Sequence, residues 1–153
     1  MNYFVTAMTA EHVRAVEEIE KLSFSSPRSI DDIMKTLAPE YSSSVKTYVA
    51  ASDDSAVVGY AVLMLAGDES ELPYIAVDER YRRCGIGKML LSHVISEAMK
   101  HNAGAMFLEV RESNTPARSL YDRFGFERTG IRKNYYRYPT ENAVNMKKLL
   151  QHP

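Results

Sequence analysis

What this sequence lacks narrows its chemistry before any motif is read. It holds a single cysteine, Cys84, among 153 residues, which excludes an intramolecular disulfide and the zinc patterns built from several cysteines. A reducing cytoplasm is the compartment this expects. No apolar run approaches the ~20 residues of a membrane span. The N-terminal stretch MNYFVTAMTAEHVRAVEE gains acids where a secretory signal needs an apolar core, so the chain is expected to stay where it is made. Charge of either sign is not in excess: the formal net charge of -1 argues against a protein whose main task is coating nucleic acid, since phosphate-backbone affinity needs surplus Lys and Arg. The histidines His12, His93, His101 and His152 sit in separate segments and suggest no metal site. Repeats and low-complexity segments are absent as well.

What is present is enough for a core. With 45% hydrophobic and 25% charged residues, the composition is that of a folded, soluble protein, and its length expects one domain over residues 1–153. YFVTA (Tyr3 to Ala7) is a short β-prone run, after which Thr9 caps a helix with Val13, Val16, Ile19 and Leu22 at helical spacing. SFSSPRS is turn chemistry, and IDDIMKTL a second short helix that stops near Pro39. SVKTYVAAS and AVVGYAVLML, separated by Asp53 and Asp54, expect an antiparallel hairpin. ELPYIAV (Glu71 to Val77) is the next strand, and its Pro73 cannot donate to a ladder, which suggests an edge, a bulge or a splayed strand.

From Ile86 the period changes: Met89, Leu90, Val94, Ile95 and Met99 form a helical stripe ending at HNAG, where Gly104 suits a left-handed stop. AMFLEV is a buried strand. In SNTPARSLYDRFGF, Asn114 or Thr115 caps a helix, Pro116 occupies its first turn and Gly125 ends it. RTGIRKNYYRY and AVNMKKLL close the chain as strands. The order β-α-α-β-β-β-α-β-α-β-β expects a mixed α/β or α+β sheet with a glycine loop at the entry to the central helix.

That loop, YRRCGIGKMLL, has the composition of a phosphate-binding turn. A triphosphate P-loop needs four residues between its glycines and then Lys-Ser/Thr, whereas Gly85 and Gly87 are one apart and Met89 follows Lys88. A dinucleotide fingerprint needs a third glycine where Leu90 stands. What fits is Arg82-Arg83-Cys84-Gly85-Ile86-Gly87, a Q/R-x-x-G-x-G/A pattern between a strand and an amphipathic helix. Glycines allow close approach of the backbone, and a helix N-terminus adds about half a positive charge.

These residues resemble the pyrophosphate loop of the GCN5-related N-acetyltransferase (GNAT) superfamily. FLEVRESNTPARSLYDRFGFERTGIRKNYY followed by ENAVNM is similar to the second half of its N-terminal protein acetyltransferases, both the bacterial type acting on ribosomal proteins and the archaeal type. The resemblance runs from about Glu71 to Met146. FSSPRS is similar to the family's substrate-side loop, with Arg28 where an aromatic is usual. The resemblance implies a mixed, mostly antiparallel sheet of about seven strands, splayed in the middle and flanked by about four helices.

It also implies roles. Glu109 is the general base, directly or through water; a salt-bridging strand carboxylate is the structural alternative. Leu108 and Val110 point to the opposite face, so Glu109 faces a cleft or solvent. Tyr121 is the general acid toward the sulfur of coenzyme A, or else a packing residue beside Phe124. Asn114 hydrogen-bonds the pantetheine arm, caps its helix, or both. Ile75, Ala76 and Val77 offer main-chain groups to the pantetheine amides, and Arg82, Arg83, Cys84, Gly85, Ile86, Gly87 and Lys88 hold the phosphates, with Arg80 in the same basic patch. Cys84 contributes only its backbone, because direct transfer needs no acyl-enzyme nucleophile. Phe24, Pro27, Tyr74, Tyr135 and Tyr136 lie on the acceptor side; Tyr74 stands where many relatives have Asn.

The implied activity is acetyl transfer from acetyl-coenzyme A to the α-amino group of protein N-termini, without a metal, with a peptide or ribosomal protein as partner. The implied state is a monomer or homodimer in the cytoplasm, contacting neither membrane nor nucleic acid directly. Two alternatives stay open: the same fold acetylating lysine side chains, polyamines or other small amines, and a non-catalytic acyl-coenzyme A sensor.

Overall fold

The computed structural model describes residues 2–150, and within it every β-prone run becomes a strand. These are β1 (Tyr3–Ala7), β2 (Val45–Ser52), β3 (Val57–Ala66), β4 (Glu69–Val77), β5 (Ala105–Arg111), β6 (Glu127–Tyr136) and β7 (Glu141–Leu149). They form one seven-stranded sheet in the order β1-β2-β3-β4-β5-β7-β6. All neighbours run antiparallel except β4 and β5. The helices are α1 (Val13–Ser23), α2 (Ile30–Lys35), α3 (Pro39–Ser42), α4 (Ile86–Lys100) and α5 (Thr115–Arg123).

The two faces of the sheet carry separate cores. One holds Ile86, Leu90, Leu91 and Val94 of α4 with Met106, Leu108, Val110, Tyr121 and Phe126. The other holds Val13, Val16 and Ile19 of α1 and Ile33 of α2 against Val49, Tyr60, Val62 and Ala76. Strand alternation decides the division: Leu108 and Val110 enter the first core, and Glu109 between them projects to the other side.

Sequence expectation and structure differ at three places. Leu22 is 83% exposed while Glu20 is fully buried on the inner face of α1. Steps of three residues drift about 60° per repeat on a helix of 3.6 residues per turn, so the stripe from Val13 leaves the core face before Leu22. Pro39 does not merely follow a stop; it opens the single-turn helix α3 at its first position, where its missing N–H is harmless. The left-handed residue after α4 is Asn102, with φ of 63°, and not Gly104; asparagine tolerates that conformation through local side-chain hydrogen bonding.

The feature that positions the site is the junction of β4 and β5. They pair only at Glu69–Ala105, Ser70–Met106 and Glu71–Phe107. Between the pairs Met64–Glu71 and Val62–Tyr74, β4 advances three residues while β3 moves two, so the stretch with Leu72 and Pro73 bulges. A bulge bends the strand that contains it, and Pro73 removes a ladder donor at the same point. Beyond it, Tyr74–Val77 and Leu108–Arg111 face one another without pairing.

Candidate active site

The glycine loop sits at the mouth of this gap. Arg83 and Gly85 adopt left-handed φ values of 63° and 80°, and Gly85 is the residue from which α4 starts. A β-carbon on Gly85 would meet nothing within 4 Å, so conformation and not space calls for glycine there. Arg80 is committed to Asp78: its main-chain N–H and Nε donate to Oδ1 at 3.0 and 3.1 Å, and Nη2 to Oδ2 at 2.7 Å. Arg82, Arg83 and Lys88 form no ion pair among the described residues and are exposed. The exposed Cys84 thiol donates to the Arg82 carbonyl at 3.7 Å and also meets the Tyr3 side chain. The first-turn N–H groups of α4 have no hydrogen-bond partner among the described residues, the usual condition of a helix start that receives an anion. The loop is pinned from beneath by Ile86, which is buried under Gly59. A β-carbon at Gly59 would lie 2.9 Å from the Ala76 carbonyl oxygen and 3.2 Å from both Ile86 and Leu90. Gly59 therefore lets α4 and β4 approach β3 together, a role the sequence reading did not assign.

Along the gap, the outer main-chain edge of Ile75, Ala76 and Val77 has no strand partner. On the opposite bank, α5 begins at Asn114, whose Oδ1 accepts from the Ala117 N–H at 3.3 Å. Capping uses the oxygen and leaves the amide nitrogen of Asn114 without a partner among the described residues. The Tyr121 ring is 5% exposed and stacks edge-on to Phe126 at 5.7 Å. Its hydroxyl makes no hydrogen bond among the described residues and is not a buried unsatisfied group. The ring is thus core, and the oxygen opens to a surface. Burial, reinforced by nearby Tyr136, pushes the phenol above its ordinary value.

Tyr136 connects this hydroxyl electrostatically to the other face. Burial first, then the Glu109 carboxylate, holds the Tyr136 phenol up to about 12. Glu109 itself accepts from Arg132 Nη1 at 3.2 Å on both oxygens. The salt-bridge alternative is therefore present in the structure, but the pair is open, with Arg132 55% and Glu109 30% exposed. Exposed pairs contribute about 0–1 kcal/mol and are easily exchanged for water.

The residues expected on the acceptor side come from distant segments. Phe24 meets Tyr74 edge-on at 5.4 Å, and Tyr135 meets Tyr136 at 5.1 Å. Pro27 is exposed on the loop between α1 and α2. Sequence reading missed the residue that ties these segments, Arg111. Its Nη2 donates to Ser25 Oγ at 2.9 Å and to the Arg137 carbonyl at 2.8 Å. Its Nη1 donates to the Pro139 carbonyl at 2.9 Å and to Glu141 at 3.2 Å, and the guanidinium lies 4.6 Å over the Tyr136 ring. The only sequence signal was spacing: Arg111 is two residues from Glu109 and so shares its face. Also missed was Glu20, which is buried and bound by Arg28 and Tyr60.

No group of three or more metal-ligating side chains occurs among the described residues; His152 lies outside them. No helix among them is long and apolar enough to cross a membrane. An open groove of about 610 Å³ lined by Met99, Gly125 and Lys148 lies at the β6–β7 end, apart from the gap.

A loop at a helix start, a strand pair that parts beside it and a carboxylate and a phenol on the facing bank match one family in particular. The family model for the acetyltransferase (GNAT) family matches residues 13–126. The chain belongs to the GNAT family. A Bacillus subtilis relative, provisionally named a ribosomal protein bS18-alanine N-acetyltransferase, is 33% identical over 142 residues, covering 93% of this chain and 92% of its own. The Haemophilus influenzae ribosomal protein bS18-alanine N-acetyltransferase is 41% identical over 97 residues, which is 61% of this chain and 66% of its own. Among solved structures, the Escherichia coli ribosomal-protein-S18-alanine N-acetyltransferase superposes with a TM-score of 0.87 at 27% identity, over 99% of this GNAT chain and 96% of the other. Ard1 from Thermoplasma volcanium also gives 0.87 at 27%, over 99% of this chain and 100% of the other.

Proposed function

We propose that this GNAT protein is a cytoplasmic enzyme that transfers the acetyl group of acetyl-coenzyme A to the α-amino group of protein N-termini. The observation that carries the reading is the gap between β4 and β5, bordered by the glycine loop, Glu109 and the open hydroxyl of Tyr121. The names of the relatives point to a protein N-terminus as acceptor.

An amine attacks a thioester only with its lone pair free, so the chain must remove a proton, stabilise a developing oxyanion and return a proton to the leaving thiolate. Main-chain N–H groups of the loop and of α4's first turn, with Arg82, Arg83 and Lys88, bind the diphosphate. The free edge of Ile75–Val77 receives the pantetheine amides as an added strand would, and the unused amide nitrogen of Asn114 meets the arm from the other bank. Glu109, released from its exposed partner Arg132, takes the amine proton directly or through water. Tyr121, kept protonated by burial, hands its proton to the sulfur. At neutral pH, freeing an α-amine of pKa near ~8 costs about 1.4 kcal/mol, and a lysine near ~10.4 about 4.6 kcal/mol. A single carboxylate base suits the first.

Incubation with acetyl-coenzyme A and short peptides containing an internal lysine, followed by mass mapping of the label, tests the reading. Label on the N-terminal nitrogen is expected. Label confined to lysine or to small amines would replace the acceptor assignment, and binding without thiol release over a broad amine panel would replace the enzyme assignment.

A further inference from the structure

The loop between α1 and α2 carries a charge pair that the chemistry above does not use. Glu20 has no exposed side-chain surface, yet it lies one turn from the acceptor-side loop. Its Oε2 accepts from the Arg28 main-chain N–H at 2.6 Å, and its Oε1 from Arg28 Nη2 at 2.6 Å and from the Tyr60 hydroxyl at 2.7 Å. Arg28 Nε completes the fork at 3.2 and 3.1 Å. A buried carboxylate needs such saturation, because desolvation without partners is costly. Glu20 is therefore fully occupied, and its role is to hold the guanidinium in one place.

Arg28 is not fully occupied. A guanidinium has five N–H donors; Glu20 engages Nε and Nη2, and the Tyr60 hydroxyl is a further partner. Nη1 lies outside the fork with Glu20. The side chain is 17% exposed. Its flat face is covered by the Tyr74 ring at 4.2 Å, and that ring is fixed by Phe24. Tyr74 also senses Tyr135 of β6 and stands on the bank opposite Glu109. On the α-amine reading, an acceptor whose amine lies at Glu109 has this bank within reach of its first side chain.

We propose that Arg28 is a specificity-determining residue, whose open edge donates to an oxygen on the first side chain of the acceptor, so that hydroxyl or carboxylate side chains are favoured over hydrocarbons of equal size. The inference rests on the α-amine reading above. Because Glu20 already balances the guanidinium, the edge offers directed donors without net positive charge, and a neutral hydroxyl is recognised as well as a carboxylate. A basic first side chain finds only donors there and is disfavoured. Fixing of the guanidinium by Glu20, Tyr60 and Tyr74 means that little side-chain entropy is lost when it binds.

The test compares matched peptides that differ only in the first residue, Ser against Ala and Thr against Val, by kcat/KM. Wild type is expected to prefer the oxygen-bearing member of each pair about fivefold to tenfold, the range of one hydrogen bond to a charged donor that stays partly wet. In Arg28→Met the preference is expected to fall to about one. Since that change strands a buried carboxylate, the double variant Glu20→Gln/Arg28→Met is measured beside it, with melting temperature confirming the fold. Equal kcat/KM within the pairs for wild type, or a preference that survives in the folded double variant, overturns the inference while leaving α-amine acetylation intact. Absence of α-amine label on every peptide overturns both.

Discussion

Replacing Tyr121 by phenylalanine separates chemistry from architecture in this protein, because the structure gives the hydroxyl no structural duty. The ring is packed against Phe126 and buried, whereas the oxygen makes no hydrogen bond among the described residues. Phenylalanine keeps the ring, opens no cavity and leaves no partner unsatisfied. The expected change in folding free energy is within about 0.5 kcal/mol, which for a domain of this size shifts the melting temperature by no more than roughly 2 °C. Loss of a positioned general acid lowers turnover by about 10²- to 10⁴-fold. Acetyl-coenzyme A affinity, read by calorimetry, should stay within about threefold, since phosphate and pantetheine contacts lie elsewhere. Burial raises this phenol above its ordinary value, so the wild-type rate should show no loss from its ionisation between pH 7 and about 9. Turnover and affinity falling by the same factor, or a melting temperature several degrees lower with turnover intact, would refute the assignment and make Tyr121 a packing residue.

Glu109→Gln should lower kcat/KM by about 10²-fold with little loss of stability, because its bridge to Arg132 is exposed; the deficit should shrink as pH rises through the acceptor amine pKa of ~8, and a deficit constant with pH would count against a proton-removing role. Gly59→Ala places a β-carbon 2.9 Å from the Ala76 carbonyl, and should cost about 1–3 kcal/mol in denaturant unfolding and weaken coenzyme A binding in the same variant. Arg111→Ala frees the Arg137 and Pro139 carbonyls and Ser25 together; peptide KM is expected to rise about tenfold or more with coenzyme A affinity unchanged. Glu141 is held below the usual carboxyl range by Ser113 and then Arg111. The stability it contributes is therefore present above its unfolded pKa and lost as pH falls through the folded one. Melting curves of wild type and Glu141→Gln should differ at pH 7 and converge in acid below about pH 4.

The strands and the major helices were legible because their side-chain periods are local. Pro73 narrowed the strand to an edge, a bulge or a splay, since it lacks the N–H a ladder needs, and the structure shows the bulge. Gly85 and Gly87 marked the helix start because their spacing is local. Where reading failed, the decisive term was not local. Leu22 and Glu20 exchange places because the direction of α1 across the sheet fixes which side is inside, and a buried glutamate becomes tolerable only when Arg28 and Tyr60, eight and forty residues away, converge on it. Gly59 looked like any strand glycine, as its reason lies in Ile86 and Leu90 of a later helix. Arg111 offered only its spacing from Glu109, because its partners, two main-chain carbonyls, Ser25 and Glu141, come together only in the fold.

The junction of three residue pairs at Glu69–Glu71 and Ala105–Phe107 has a thermodynamic consequence. Hydrogen bonding within the sheet couples its four-stranded and three-stranded parts only over that short seam, so a molecule that lies in the gap and bonds to both parts becomes a piece of the scaffold. Such an occupant adds RT ln(1 + [L]/Kd) to resistance against unfolding, about 2.7 kcal/mol at a hundredfold excess over Kd. The acetyl donor would then govern how long the protein survives as well as what it does.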